Sequence, residues 1–192
     1  EEISYGDVTI SGRVTDWMLL NEARISVMLV HPNIAQVFEF GHIDASFFMA
    51  LEYVEGLSLN GILRRGREQR KTMRPADAVW VALQVCRSLH YAHNKRDNDG
   101  NDLKIVHRDV SPHNILVDET GSVKLIDFGI AKAAQGQIQT EASTIKGKIP
   151  YMSPEQASGQ SIDRRSDLYS LGIVLYECLT LERMYPAGNT FE

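Results

Sequence analysis

An α+β fold class is predicted by two observations on this 192-residue chain. Runs rich in β-branched and aromatic residues come in pairs around turns. Residues 34–40 and 47–53 flank Gly41-His42-Ile43-Asp44, and residues 115–117 and 123–126 flank Asp118-Glu119-Thr120-Gly121. Patterns of helical period lie apart from these pairs rather than alternating with them, over residues 17–30, after Pro75 and over 168–181. The apolar content of 43% is enough to bury roughly 70% of the unfolded surface, as domains of this size do.

Residues 1–16 carry two glycines and neither a basic start nor an apolar targeting core. From Trp17 to Val30 the apolar Met18, Ala23, Ile25, Val27, Met28 and Val30 interleave with Asn21, Glu22 and Arg24, an amphipathic helix expected to stop before His31-Pro32. The antiparallel pair follows and runs into Glu55-Gly56, an expected hinge. After Pro75, which suits the first turn of a helix, Val79, Ala82, Leu83, Cys86, Leu89 and Tyr91 are expected to face the core of a long helix. Residues 95–102 are polar and turn-rich, hence a surface loop. Residues 168–181 are apolar nearly all round, broken by Ser170, Glu177 and Thr180, which predicts a helix buried on most sides. That helix is too short to span a membrane, and no apolar run elsewhere is long enough.

The net charge is −5, yet residues 64–74 hold Arg64, Arg65, Arg67, Arg70, Lys71 and Arg74 against Glu68 alone, a local charge of +5. An acidic partner is one reading of this patch and a solvated loop between two helices is the other. Nucleic acid is not expected. The two cysteines, Cys86 and Cys178, lie within apolar helical patterns without metal-type spacing, so both are expected to be buried thiols in a reducing cytoplasm.

Chemistry concentrates in His107-Arg108-Asp109-Val110-Ser111-Pro112-His113-Asn114 and, thirteen residues after Asn114, Asp127-Phe128-Gly129. The hairpin between them brings Asn114 and Asp127 to one end. One asparagine and two aspartates so placed suit the alignment of a hydroxyl, a triphosphate and a divalent metal, since phosphoryl transfer depends mainly on positioning and charge neutralisation. Tyr151-Met152-Ser153-Pro154-Glu155 and Asp167-Leu168-Tyr169-Ser170-Leu171-Gly172 follow in order. With these four landmarks the chain, from about residue 17 on, resembles the eukaryotic-like Ser/Thr protein kinases of bacteria.

The resemblance implies a bilobal kinase-like fold, with residues 1–54 as part of the small lobe and the remnant of its sheet, and 55–192 as part of a mostly helical large lobe. It implies Asp109 as the residue that orients the substrate hydroxyl and takes its proton, and Asn114 and Asp127 as ligands of magnesium, or manganese in its place, on ATP. Glu22 would pair with the ATP-contacting lysine. Leu51, Glu52, Val54 and Leu116 would bound the adenine, with the Glu52 carbonyl and Val54 amide making its hydrogen bonds. His107, Phe128 and Gly129 would belong to the packed column of the active state, and Glu155 would anchor the activation segment. Asp167 would hold the catalytic-loop backbone, an ordinary helix cap being its alternative. Arg108 implies control by phosphate on the activation segment, at Thr144 with Ser143 and Thr140 as alternatives. The expected substrate is a protein Ser/Thr hydroxyl. Histidine is not expected to bind metal.

Two departures stand out. Kinases of this type carry lysine two residues after the catalytic aspartate and threonine after the glycine of the activation segment; here the two positions hold Ser111 and Lys148. The exchange suggests that Lys148 supplies the phosphate-contacting cation and Ser111 the hydroxyl. No lysine precedes Lys71, and residues 1–30 hold only Gly6 and Gly12. A partial kinase domain, truncated at both ends, is therefore expected. The alternatives are a pseudokinase scaffold, opposed by the intact Asp109, Asn114 and Asp127, and a small-molecule phosphotransferase, opposed by Ser153-Pro154-Glu155.

Overall fold

The computed structural model describes residues 2–5, 8–11, 25–43, 46–128 and 149–185. Near the N-terminus β1 (Glu2–Tyr5) and β2 (Val8–Ser11) pair antiparallel. Residues 25–28 are helical and the helix ends before Pro32, as expected; residues 17–24 of the expected helix, Glu22 among them, lie outside the described residues.

The expected antiparallel pair is β3 (Val37–Ile43) and β4 (Ser46–Leu51). Gly41, His42 and Ile43 belong to β3 and not to a turn: Gly41 faces Phe48 in register, and its lack of a Cβ admits that ring. A second sheet has the order β5 (Gly56–Ser58), β6 (Ile115–Asp118) and β7 (Val123–Leu125), antiparallel throughout. Gly56 has a packing reason here, because a Cβ would strike the Val117 carbonyl oxygen and lie 2.7 Å from the Asp118 Cα. Residues 33–35 run alongside β7: Leu125 N–H donates to the Asn33 carbonyl at 2.9 Å and Ala35 N–H to the Leu125 carbonyl at 3.0 Å.

Among the described residues four α-helices follow the hinge: α1 (Leu59–Gln69), α2 (Pro75–His93), α3 (Pro154–Ala157) and α4 (Arg164–Thr180). The core joins Leu59 and Leu63 of α1, Val81, Val85 and Leu89 of α2, Ile115, Val123 and Leu125 of the second sheet, and Ile173, Val174 and Cys178 of α4. None of the described helices is long and apolar enough to cross a membrane.

Four expectations need correction. Ala78, Val81, Val85, Leu89 and Ala92 form the buried stripe of α2, whereas Val79, Trp80 and Leu83 are exposed. The helix is apolar on both sides, and the side that packs on α4 and β7 is the one that is buried. Cys86 is exposed accordingly, and only Cys178 is buried. The basic stretch is no simple loop. Arg64, Arg65 and Arg67 ride on α1, Ser58 caps its start and Arg70 closes it in the left-handed conformation. Among the described residues, three of the six cations have carboxylate partners, in the pairs Arg64–Glu68, Arg67–Glu177 and Arg74–Asp77. Finally, α4 is not buried on most sides: beside Leu171, Ile173, Val174 and Cys178 it buries the polar Ser166, Asp167, Ser170 and Glu177, while Leu168, Tyr169 and Leu179 are exposed. The buried carboxylates are satisfied: Glu177 accepts from Tyr151 Oη at 2.5 Å and pairs with Arg67.

Candidate active site

The segment from His107 to Asn114 enters from the loop after α2 and leaves into β6. Asp109, Ser111 and Asn114 are buried. The β6–β7 hairpin does bring Asn114 and Asp127 together, since Ile115 faces Leu125 and Ile126 N–H donates to the Asn114 carbonyl at 2.9 Å. Asn114 Nδ2 donates to the Asp109 carbonyl at 2.9 Å, which fixes the amide and leaves its Oδ1 as an acceptor. Asp127 is exposed, in left-handed backbone at φ 56°.

Arg108, before the expected catalytic aspartate, is also left-handed, at φ 66°. Such a conformation costs a non-glycine residue roughly 1–2 kcal/mol and persists only where the surroundings over-determine it. Arg108 N–H donates to Asp167 Oδ1 at 2.8 Å, and His107 N–H to Asp167 Oδ2 at 2.9 Å. Asp167 thus holds this backbone from α4. It is not the helix cap, a role taken by Asp163, whose side chain accepts from Arg165 N–H. Asp109 N–H donates to His107 Nδ1 at 3.2 Å, and His107 Nε2 lies 3.0 Å from the Ile126 carbonyl, so the proton belongs on Nε2. Burial pushes this imidazole below its ordinary range, with the charges of Asp167 and Asp109 pulling the other way. The neutral ring packs on Phe128, centroids 4.5 Å apart.

Arg108 is half-buried, with its Nε lacking a partner among the described residues; burial lowers its guanidinium pKa and Asp167 opposes this. Ser111 Oγ is likewise buried without a partner among the described residues. Glu155, at the start of α3, accepts from Ser166 Oγ.

The hinge residues Leu51, Glu52 and Val54 connect β4 to β5, and β5 pairs with β6 so that Ser58 faces Leu116. Hinge and Leu116 are thereby tied to one sheet. The Glu52 side chain has a role that its sequence position did not reveal. It pairs with Lys124 of β7 at 2.7 Å and accepts from Gln36 N–H at 3.1 Å. Burial alone would raise its pKa, but these bonds hold it lower.

Sequence reasoning also missed His93 and Gln156. His93 Nε2 sits 2.7 Å from Asp167 Oδ2, both side chains being buried. Gln156 donates from Nε2 to the Arg108 carbonyl at 2.8 Å. His93 could have been found as a polar residue at the end of a helix otherwise packed on the core, whereas Gln156 left no signal beyond its capping position. Glu22, Gly129, Thr140, Ser143, Thr144 and Lys148 lie outside the described residues. Two cavities among the described residues open near His93 and Lys104 and near His31 and Arg87, and neither is lined by Asp109, Asn114 or Asp127.

An aspartate on a doubly anchored backbone, an asparagine oxygen and an exposed carboxylate therefore converge at the hairpin's end. The protein kinase domain family model matches residues 11–192. The chain belongs to the protein kinase domain family. It is similar to the tyrosine-protein kinase MasK of Myxococcus xanthus, 39% identical over 172 residues that make up 90% of this chain and 27% of that protein. It is 37% identical to the serine/threonine-protein kinase PrkC of Bacillus subtilis over 159 residues, 83% of this chain and 23% of PrkC. To the serine/threonine-protein kinase PknB of Mycobacterium tuberculosis it is 38% identical over 174 residues, 88% of this chain and 26% of PknB. The chain spans about a quarter of the length of these kinases.

Proposed function

We propose that this kinase domain serves a protein Ser/Thr kinase that transfers the γ-phosphoryl group of ATP to a protein hydroxyl. The observation that carries the reading is the convergence of Asp109, Asn114 and Asp127 at one end of the β6–β7 hairpin, with the Asp109 backbone pinned by side-chain bonds. An asparagine oxygen and a carboxylate are hard donors that suit magnesium, which is commonly held by one or two carboxylates plus phosphate and water rather than by a full protein cage. Magnesium-bound ATP supplies a phosphoryl group whose charge is already partly neutralised. Asn114 and Asp127 hold the metal. Asp109 orients the incoming hydroxyl and accepts its proton, and the Glu52 carbonyl and Val54 amide bind the adenine edge between Leu51 and Leu116. Glu22 pairs with the ATP-contacting lysine.

The buried Ser111 hydroxyl, without a partner among the described residues, supports the exchange with Lys148, in which the Lys148 ammonium reaches the γ-phosphate and the substrate oxygen while Ser111 supplies the hydroxyl. Phosphate on Thr144, with Ser143 or Thr140 as substitutes, neutralises Arg108 and orders the activation segment; the unpartnered Arg108 Nε is what motivates this. Arg65, Arg70 and Lys71, which have no carboxylate partner among the described residues, support an acidic partner at that patch. The free cysteines fit a cytoplasmic setting.

The full-length protein tests the reading. With magnesium and radiolabelled ATP it should phosphorylate a generic protein substrate, phosphoamino-acid analysis should return phosphoserine or phosphothreonine, and Asp109→Asn should lower kcat at least about 10²-fold. Phosphotyrosine alone would replace the Ser/Thr assignment, and no nucleotide binding at all would refute the enzyme. Lys148→Ala should cost roughly 10²- to 10³-fold in rate, and full turnover would refute the exchange.

A further inference from the structure

The peptide unit joining Arg108 to Asp109 is gripped at both of its polar atoms. Its N–H, on Asp109, donates to His107 Nδ1 at 3.2 Å, and its carbonyl, on Arg108, accepts from Gln156 Nε2 at 2.8 Å. The residue carrying that carbonyl is the left-handed Arg108, whose own N–H is held by Asp167. A plane in this conformation relaxes unless something external holds it. His107 and Asp167 hold it from the loop itself and from the core helix α4. Gln156 alone among these contacts comes from α3, just past Ser153-Pro154-Glu155.

The same amide has a second task. Gln156 Oε1 accepts from Ser153 N–H at 3.1 Å while Gln156 N–H donates to Ser153 Oγ at 3.3 Å, a reciprocal capping box that starts α3. One end of the side chain therefore fixes its own helix, and the other fixes the backbone of the catalytic segment. A glutamate could perform the first task and not the second, because it accepts but does not donate. This division makes the residue type informative: capping alone asks for glutamine or glutamate, and the bond to Arg108 asks for glutamine.

We propose that Gln156 is a positioning residue for phosphoryl transfer, locking the Arg108–Asp109 peptide plane and so aiming the Asp109 carboxylate from the segment that ends at α3. Through this bond a displacement of α3 reaches Asp109 directly, without repacking the core. The inference rests on Asp109 acting as the base in the proposed kinase reaction.

Full-length Gln156→Glu and Gln156→Met proteins, assayed beside wild type for steady-state kinetics and thermal unfolding, provide the test. Gln156→Glu should keep the capping box and unfold at a higher temperature than Gln156→Met, while kcat falls roughly tenfold or more with KM for ATP nearly unchanged, the loss expected when a part-buried carbonyl loses its donor and faces a carboxylate. Gln156→Met should lose kcat similarly and unfold at lower temperature as well. Wild-type kcat in Gln156→Glu overturns the proposal, as does a loss confined to KM. A drop in kcat seen only in proportion to lost folded protein makes Gln156 a cap and nothing more. Inactive wild-type protein would instead refute the kinase reading itself, so the two failures are distinguishable.

Discussion

His107 illustrates how one buried side chain links folding to protonation. Its neutral ring accepts from the Asp109 amide on Nδ1, and Nε2 lies within hydrogen-bond reach of the Ile126 carbonyl, so a second proton would have to displace the Asp109 bond inside the core. Burial holds the folded pKa below the ordinary 6.5, and the unfolded chain therefore binds this proton first as pH falls. The His107 contribution to stability is complete above about pH 6.5 and is lost on acidification through the window below it, at no more than about 1.4 kcal/mol per pH unit. Urea titrations at a series of pH values should show this slope in wild type and a shallower one in His107→Gln; identical slopes would remove His107 as its source. Glu177 poses a different problem, a buried carboxylate whose partner Arg67 comes from another helix. Arg67→Ala should destabilise the fold by about 1–3 kcal/mol, less than a fully buried pair because the Arg67 side chain is about one-third exposed. An unchanged urea midpoint would show that water reaches Glu177 in its place.

At the scale of elements, α2 is the most instructive case. Leu89 is buried and Leu83 is 44% exposed, although both were expected to face the core. Leu89→Ala should cost about 2–5 kcal/mol and Leu83→Ala no more than about 0.5 kcal/mol, measured by urea unfolding. Equal costs would mean that another surface covers Leu83. The helix itself, its start at Pro75 and its length were legible from period and proline, because those are local properties. Which side turned inward was not, because apolar residues occur on both sides and the choice was made by α4 and β7, elements distant in sequence. The same limit explains α4. Its polar residues Ser170 and Glu177 looked like interruptions of an apolar helix, yet they are buried because Tyr151 brings its backbone carbonyl to one and its hydroxyl to the other. The β6–β7 hairpin, by contrast, was readable with its end residues, since an antiparallel pair joined by a short turn fixes its own register.

For the whole molecule, the candidate site was legible wherever chemistry demanded particular residue types in order, as with Asp109, Asn114 and Asp127. It was illegible where a side chain meets a partner distant in sequence, as Gln156 does at the Arg108 carbonyl and His93 at the Asp167 carboxylate. Those contacts tie residues 107–114 to α2, α3 and α4 at once, and the hairpin ties them to the hinge through β5. A ligand bound at Asn114 and Asp127 should therefore stabilise the folded domain as a unit rather than one loop. Magnesium-ATP at a hundred times its Kd should add about 2.7 kcal/mol, which for a domain of this size raises Tm by about 5–10 °C. In the full-length protein, EDTA should remove most of that gain while leaving the nucleotide present, because the triphosphate then meets the Asp127 carboxylate without an intervening cation. Asp127→Asn should make the residual shift insensitive to EDTA, since it keeps the shape of the ligand and removes its charge. A shift that EDTA leaves intact in wild type would show that nucleotide binds without engaging Asn114 and Asp127, and the metal site would have to be sought elsewhere in the protein.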